Sequence, residues 1–474
     1  MCNKPCAWPC TNATIATRTG GFSCAETSPL APNTAAEIIA NANSHCLVIL
    51  TPPKGRKHIN PRRDFLATTS YTDPPSSPPG HLRYTFRMAK NWKTKLIHPD
   101  AHAPEGFKSL APATHRGSTV LFPNAAAVQD TWDQHAVGYT YGLYGTPTTL
   151  ELAARICELE TGYRTFITPG GQAAISLINF AFLKTGDHIL VPESIYYPNR
   201  KFSVEVLQRF GIEVDFYPPT IGAKISSHLQ KNTQLVWCES PGSISMEVQD
   251  VPAIAAAAHK HGALVVIDNT WAAGVYFDAF AHGVDVTMQA LTKYVGGHSD
   301  FLLGSITVRD DAAYQKIGLA RQLFGCAASP DDCTLALRGL KTLAVRLAAI
   351  EESALALAQW LAARPEIDLV LHPALPSCPG HEFWKRDFTG STGVFSIVFK
   401  NHLAKEQVHA FVNKLALFKI GYSWAGVTSL AVAYDFGPRA GRPDYQHRIV
   451  RLNIGLEDLA DLQADLEQSL EKMR

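Results

Sequence analysis

A charge imbalance is what this 474-residue chain most plainly lacks: 43 Lys and Arg face 42 Asp and Glu, for a formal net charge of +1. Binding to nucleic acid or to a membrane surface through bulk charge is therefore excluded. No apolar run approaches the roughly 18 residues of a membrane-spanning helix; Leu47-Val48-Ile49-Leu50 is far too short. The start also lacks the basic region and apolar stretch of a secretory signal. A soluble, cytoplasmic protein is the expectation.

Recognisable metal motifs are missing too. Of the ten cysteines, Cys2, Cys6, Cys10, Cys24 and Cys46 crowd the first fifty residues. Their spacing matches no usual zinc pattern, and no paired histidines follow at the right distance, so no metal is expected. Cys157, Cys238, Cys326, Cys333 and Cys378 are scattered, as small buried apolar residues of a reducing compartment would be.

What is present divides unevenly along the chain. Residues 1–87 hold eleven of the 30 prolines and carry nine basic side chains against four acidic ones. Such a stretch cannot bury enough apolar surface to offset its ordering entropy. It reads as a disordered, non-catalytic extension with at most one short helix, Thr34 to Ala42, and with Met88 a candidate alternative start. A transit peptide fits its low acidity but not its cysteines and prolines.

From Lys90 the texture is that of a folded protein. Thr146 is placed to cap a helix whose first turn holds Pro147 and which runs Leu150 to Glu160. Phe166-Ile167-Thr168-Pro169-Gly170-Gly171-Gln172 then reads as strand, glycine turn and helix start. Free N–H groups and the positive dipole end there suit an anion such as a phosphate, or simply make a tight turn. Strands at 188–192, 213–217, 235–238 and 264–268 alternate with helices at 198–209, 224–231 and 251–261. That alternation predicts an α/β fold with a mainly parallel sheet covered on both faces. Ligands of such sheets sit beyond the carboxyl ends of the strands.

Several chemically useful residues fall at those ends. Asp268 closes an apolar strand, where a carboxylate needs a cation or hydrogen-bond donors; it serves either an Asx turn or a protonated ring nitrogen. The stretch Gln289-Ala290-Leu291-Thr292-Lys293-Tyr294-Val295-Gly296-Gly297-His298-Ser299-Asp300 sets one lysine among apolar neighbours. Desolvation disfavours the ammonium form, which makes Lys293 a candidate amine nucleophile for Schiff-base chemistry with a carbonyl cofactor. Farther on, Leu340, Leu343, Leu347, Ile350, Ala354, Leu357 and Leu361 give one long helix an apolar face. It leads into a smaller α+β region with strands near 393–399 and 448–455 and a leucine-faced terminal helix.

Several blocks carry a family resemblance. Asp285-Val286 through the lysine stretch, Glu239-Ser240-Pro241-Gly242-Ser243-Ile244-Ser245-Met246-Glu247-Val248, Asp268-Asn269-Thr270-Trp271, Tyr422-Ser423-Trp424-Ala425-Gly426 and Arg451-Leu452-Asn453-Ile454-Gly455 stand in family order. From about Lys93 onward the chain resembles the pyridoxal 5′-phosphate (PLP) enzymes of cysteine and methionine metabolism, within them the cystathionine β-lyases. The resemblance implies the aspartate aminotransferase-like fold (type I). It implies an arm at 88–147 that contacts a neighbouring subunit, a PLP-binding domain at 148–335 and a C-terminal domain at 336–474. It also implies a homotetramer of dimers sharing active sites.

By the same resemblance Lys293 links the cofactor and shuttles the Cα proton, and Asp268 pairs with the ring nitrogen. Tyr196 stacks on the ring, while Gly171, Gln172 and Thr292 bind the phosphate. Tyr141 reaches the phosphate of the neighbouring subunit, and Arg451, Ser423 and Trp424 bind the substrate. The implied reaction is β-elimination from L-cystathionine; γ-lyase or γ-synthase chemistry, cysteine or cystine cleavage, and a degenerate PLP-binding homologue are the alternatives. Two departures stand out. Leu291 replaces a small residue, and Leu143 replaces the arginine that relatives place two positions after Tyr141.

Overall fold

Seven strands form one sheet: β1 (Arg164–Thr168), β2 (His188–Pro192), β3 (Glu213–Tyr217), β4 (Thr233–Glu239), β5 (Leu264–Asp268), β6 (Val286–Gln289) and β7 (Gly304–Val308). In a computed structural model of the chain, which describes residues 91–97, 109–437 and 443–473, their order is β1-β7-β6-β5-β4-β2-β3. The pairs from β6 through β3 are parallel. Strand β7 is antiparallel to both β1 and β6, so it alone runs against the rest. The mainly parallel α/β sheet expected from the sequence is therefore present. The extension at 1–87, its suggested helix and its five cysteines lie outside the described residues.

The central strands β4 and β5 are mostly apolar because both faces of the sheet are covered there, whereas the edge strand β3 alternates exposed Glu213 and Asp215 with its apolar residues. Along β4, Leu235 and Trp237 join one core cluster while Val236 and Cys238 join another. Along β5, Val266 packs with the first set and Val265 and Ile267 with the second. This is the period of two of a strand with an apolar layer on each side. Each such side chain, removed from water, contributes about 1.5–3 kcal/mol.

A second, antiparallel sheet has the order β10-β11-β9-β8. Its strands are β8 (Ile367–Leu371), β9 (Val394–Phe399), β10 (Leu430–Phe436) and β11 (Gln446–Asn453). All described residues lie in one compact unit.

Local physics sets the helix ends. Thr146 accepts the N–H of Thr149, and Pro147 occupies the first turn of the helix Pro147–Leu159. Three local expectations need correction. The helix at 198–209 is an α-helical turn, Tyr197–Phe202, followed by a π segment, Ser203–Leu207, and a 3-10 turn, Gln208–Phe210. The helix at 224–231 is a short 3-10 segment, Gly222–Ser227. The long helix is two helices, Pro330–Leu340 and Leu343–Ala362, so Leu340 belongs to the first. From Leu343 to Leu361 the anticipated apolar stripe is buried.

Candidate active site

Because six strands point the same way, the ends of β1, β2, β4, β5 and β6 open on one edge of the sheet. There a cavity of about 410 Å³ is lined by Gly170, Gly171, Gln172, Tyr196, Glu239, Asp268, Thr270, Thr292, Lys293, Trp424 and Arg451, among others. A second cavity of about 600 Å³ shares Tyr196, Lys293, Trp424 and Arg451 and adds Ser423, Tyr422 and Tyr434. Nine of the ten anticipated site residues thus come together. Tyr141 does not: it is exposed and lines neither cavity, and Leu143 sits beside it, half-buried.

Lys293 sits in a tight turn closed by Gly296 N–H to Leu291 O at 2.9 Å and Gly297 N–H to Lys293 O at 2.7 Å. Its Nζ donates to Ser423 Oγ at 2.7 Å and lies 5.2 Å from the centre of the Trp424 ring. Burial, reinforced by the Arg451 guanidinium and opposed by Asp268, brings its pKa down to about 8. A free amine is thereby accessible near neutral pH, as an amine nucleophile requires.

Asp268 ends β5 and takes the N–H of Thr270 at 3.0 Å on Oδ1, together with the Thr270 hydroxyl. It therefore makes the Asx turn and also lines the cavity. Burial raises its pKa, while Thr270 and Lys293 pull it down. A cationic partner in the cavity would favour its charged form. Arg451, on β11, is 9% exposed, and its Nη2 donates to Ser423 O at 3.2 Å. Ser423 has a φ of 108°, a strained conformation for a residue with a side chain.

At the other end, the helix Gly171–Phe182 starts at the cavity with no side-chain cap, so its first N–H groups have no partner within the helix. A Cβ on Gly171 would come 2.9 Å from the Cβ of Ala290, so the backbone approach depends on glycine. Gln172 Oε1 is buried without a partner. The free N–H groups at the helix start, not this acceptor oxygen, suit an anion the size of a phosphate. Thr292 is less free: its hydroxyl donates to Leu303 O and accepts from Leu303 N–H, each at 3.1 Å. Taken together, an anion cradle, a buried carboxylate for a cationic ring atom, and an amine of lowered proton affinity fit a phosphorylated carbonyl cofactor.

Two contributors escaped the sequence reading. Glu239 ends β4 inside the cavity, opposite Asp268 on β5. Arg346 is buried against the lysine turn, donating to Tyr294 O at 2.7 Å and Gly339 O at 2.8 Å. Its signal was a charge interrupting the apolar stripe between Leu343 and Ile350.

Among the described residues no helix is long and apolar enough to cross a membrane, and no group of three or more candidate metal ligands is found. Of the five described cysteines, all but Cys326 are buried.

Comparison with known proteins gives consistent matches. The family model described as Cys/Met metabolism PLP-dependent enzyme matches residues 93–471. A putative cystathionine beta-lyase of Rhizobium johnstonii is 44% identical over 79% of this chain and 94% of the relative. Cystathionine beta-lyase MetC of Escherichia coli is 40% identical over 80% of this chain and 98% of the relative. The crystal structure of metB from Corynebacterium glutamicum superposes with a TM-score of 0.74 at 27% identity, covering 82% of this chain and 99% of that one.

Proposed function

The chain belongs to the Cys/Met metabolism PLP-dependent enzymes, and on that premise we propose that it is a carbon–sulfur β-lyase. In this reading it converts L-cystathionine and water to L-homocysteine, pyruvate and ammonia, a step of methionine biosynthesis. The observation that carries the reading is its likeness to two relatives named for that activity, spanning 94% and 98% of their lengths.

The cofactor, when bound, supplies an electron sink for charge that develops at the substrate Cα. The chain's own residues do the rest. Lys293 would hold the cofactor through its amine, and its free Nζ, oriented by Ser423 Oγ at 2.7 Å, would take the Cα proton. Asp268 would pair with the protonated ring nitrogen, and Tyr196, lining the same cavity, would pack on the ring. The Gly171 and Gln172 amides hold the phosphate with Thr292 beside them; the amides carry most of that load because the Thr292 hydroxyl is engaged with Leu303. Arg451 pairs with the substrate carboxylate, flanked by Ser423 and Trp424.

Tyr141, exposed and outside the cleft of its own chain, serves the cleft of a neighbouring copy. The assembly is a homotetramer in the cytoplasm, with an arm at 88–147, a PLP-binding domain at 148–335 and a C-terminal domain at 336–474. The test is product identity: purified protein given L-cystathionine should release pyruvate with homocysteine. Cysteine with 2-oxobutyrate would overturn the β-lyase reading in favour of γ-cleavage, and release from cystine alone would overturn the substrate.

A further inference from the structure

Glu239 has no role in the scheme above, yet it stands inside the cavity. It is 8% exposed and is the last residue of β4, in register with Asp268 on the parallel neighbour β5. Registered residues of adjacent parallel strands point to the same face about 4.8 Å apart, so two carboxyl groups share one buried edge. Glu239 Oε2 accepts the backbone N–H of Tyr196 at 2.6 Å, which ties it to the aromatic ring lining the same cavity. Its own backbone is fixed as well: Glu239 N–H donates to Gln249 Oε1 at 2.8 Å, and Gln249 Nε2 donates to the Tyr217 hydroxyl at 3.1 Å.

The charged and titratable groups that line the cavity with it are Asp268 on β5, Tyr196 after β2, Lys293 after β6 and Arg451 on β11. Lys293 already gives its Nζ to Ser423, and Arg451 gives Nη2 to Ser423 O. No ion pair to Glu239 is formed among the described residues. Two carboxylates side by side in a buried site cannot both ionise cheaply, and the one without a cation keeps its proton.

Resting on the lyase reading, we propose that Glu239 is a positioning residue that works as the neutral acid. It anchors Tyr196 through the backbone N–H and leaves Asp268 as the single negative charge facing the ring of the cofactor. Burial first, and the Asp268 carboxylate second, push its proton affinity well above that of an ordinary carboxyl, in keeping with this arrangement.

The experiment compares holoenzymes carrying Glu239→Gln and Glu239→Ala with wild type. The glutamine is neutral, has the same length and can still accept the Tyr196 N–H. It should keep kcat within about threefold and leave the pH profile in place. The alanine removes the anchor and should lower kcat by about tenfold to a hundredfold while cofactor is lost faster on dialysis. A second measurement needs no turnover: cofactor-free wild type at pH 7 should show the infrared band of a protonated carboxyl that is missing from Glu239→Gln. A glutamine variant as impaired as the alanine, an alanine variant equal to wild type, or absence of that band would each overturn the proposal. Wild type that neither binds PLP nor releases pyruvate would instead sink the lyase reading.

Discussion

At one end of the cleft Lys293, Asp268, Glu239, Ser423 and Arg451 converge from separate segments of a single chain. At the other, the start of the helix Gly171–Phe182 offers backbone N–H groups, and no cationic side chain lines that end among the described residues. The amine end thus comes together within one copy and is tuned by charge. The anion end is built from backbone, and Tyr141 lies outside it. Chemistry that needs a particular side chain is confined to the first end, while the second holds its ligand through a shape that many sequences can supply. Substitutions should therefore divide by their main effect: those at the amine end cost turnover first, even where cofactor is also held less well, and those at the anion end cost cofactor affinity.

The largest effect is expected from Lys293→Ala, which removes the amine and the proton carrier together. Turnover should fall by at least the 10²–10⁴-fold of a lost general base, and the visible absorbance of the lysine-bound cofactor should vanish. A variant that keeps both would break the division at its strongest point. Asp268→Asn comes next. It preserves shape and the bond to Thr270 N–H but removes the charge, and kcat should drop about a hundredfold, as for other preorganised electrostatic groups. The control is the cofactor dissociation constant, which should move far less than kcat.

These two residues were legible in the sequence because each breaks a local rule. A carboxylate ends an apolar strand, and a lysine sits between an apolar run and two glycines. The strands β2, β3 and β5 and the helix Val251–His261 were legible for the opposite reason: apolar runs, or in β3 the alternation of charged and apolar residues, bounded by turn residues agree with the observed ends. Glu239 was not, because its meaning comes from the register that sets it beside Asp268, and register is a tertiary fact. Arg346 stood out only as a break in a stripe; that it caps the carbonyls of the lysine turn depends on where a distant helix packs. The 3-10 segment Gly222–Ser227 lacks the length that makes a helical period decisive. Much of the remaining site was reached through family resemblance, not through derived chemistry.

In the proposed tetramer Leu143→Arg would reach the anion end of a neighbouring copy and should show a gain. A guanidinium within reach of a phosphate adds a charge-assisted bond worth roughly 1.5–3 kcal/mol, or about one to two decades in affinity. Equilibrium dialysis should report tighter PLP binding with kcat nearly unchanged. A rise in kcat without tighter binding would show that the two ends are not separable.

The smallest effect is a displacement along the pH axis, and it sharpens the comparison most finely. Only the free amine of Lys293 attacks a carbonyl, so PLP uptake by cofactor-free protein should accelerate as pH rises through about 8. The amine is held there by burial, with Arg451 lowering the pKa further and Asp268 raising it. Removing a group that lowers a pKa raises it, so Arg451→Gln should move the inflection to higher pH. Asp268→Asn should move it to lower pH by the same logic. Leu143→Arg, remote from the amine, should tighten binding and leave the inflection where it is. Stopped-flow uptake measured across pH for the three variants reads all of this at once. An inflection unmoved by both Arg451→Gln and Asp268→Asn would mean that burial alone, and not the pair of opposed charges, sets the amine.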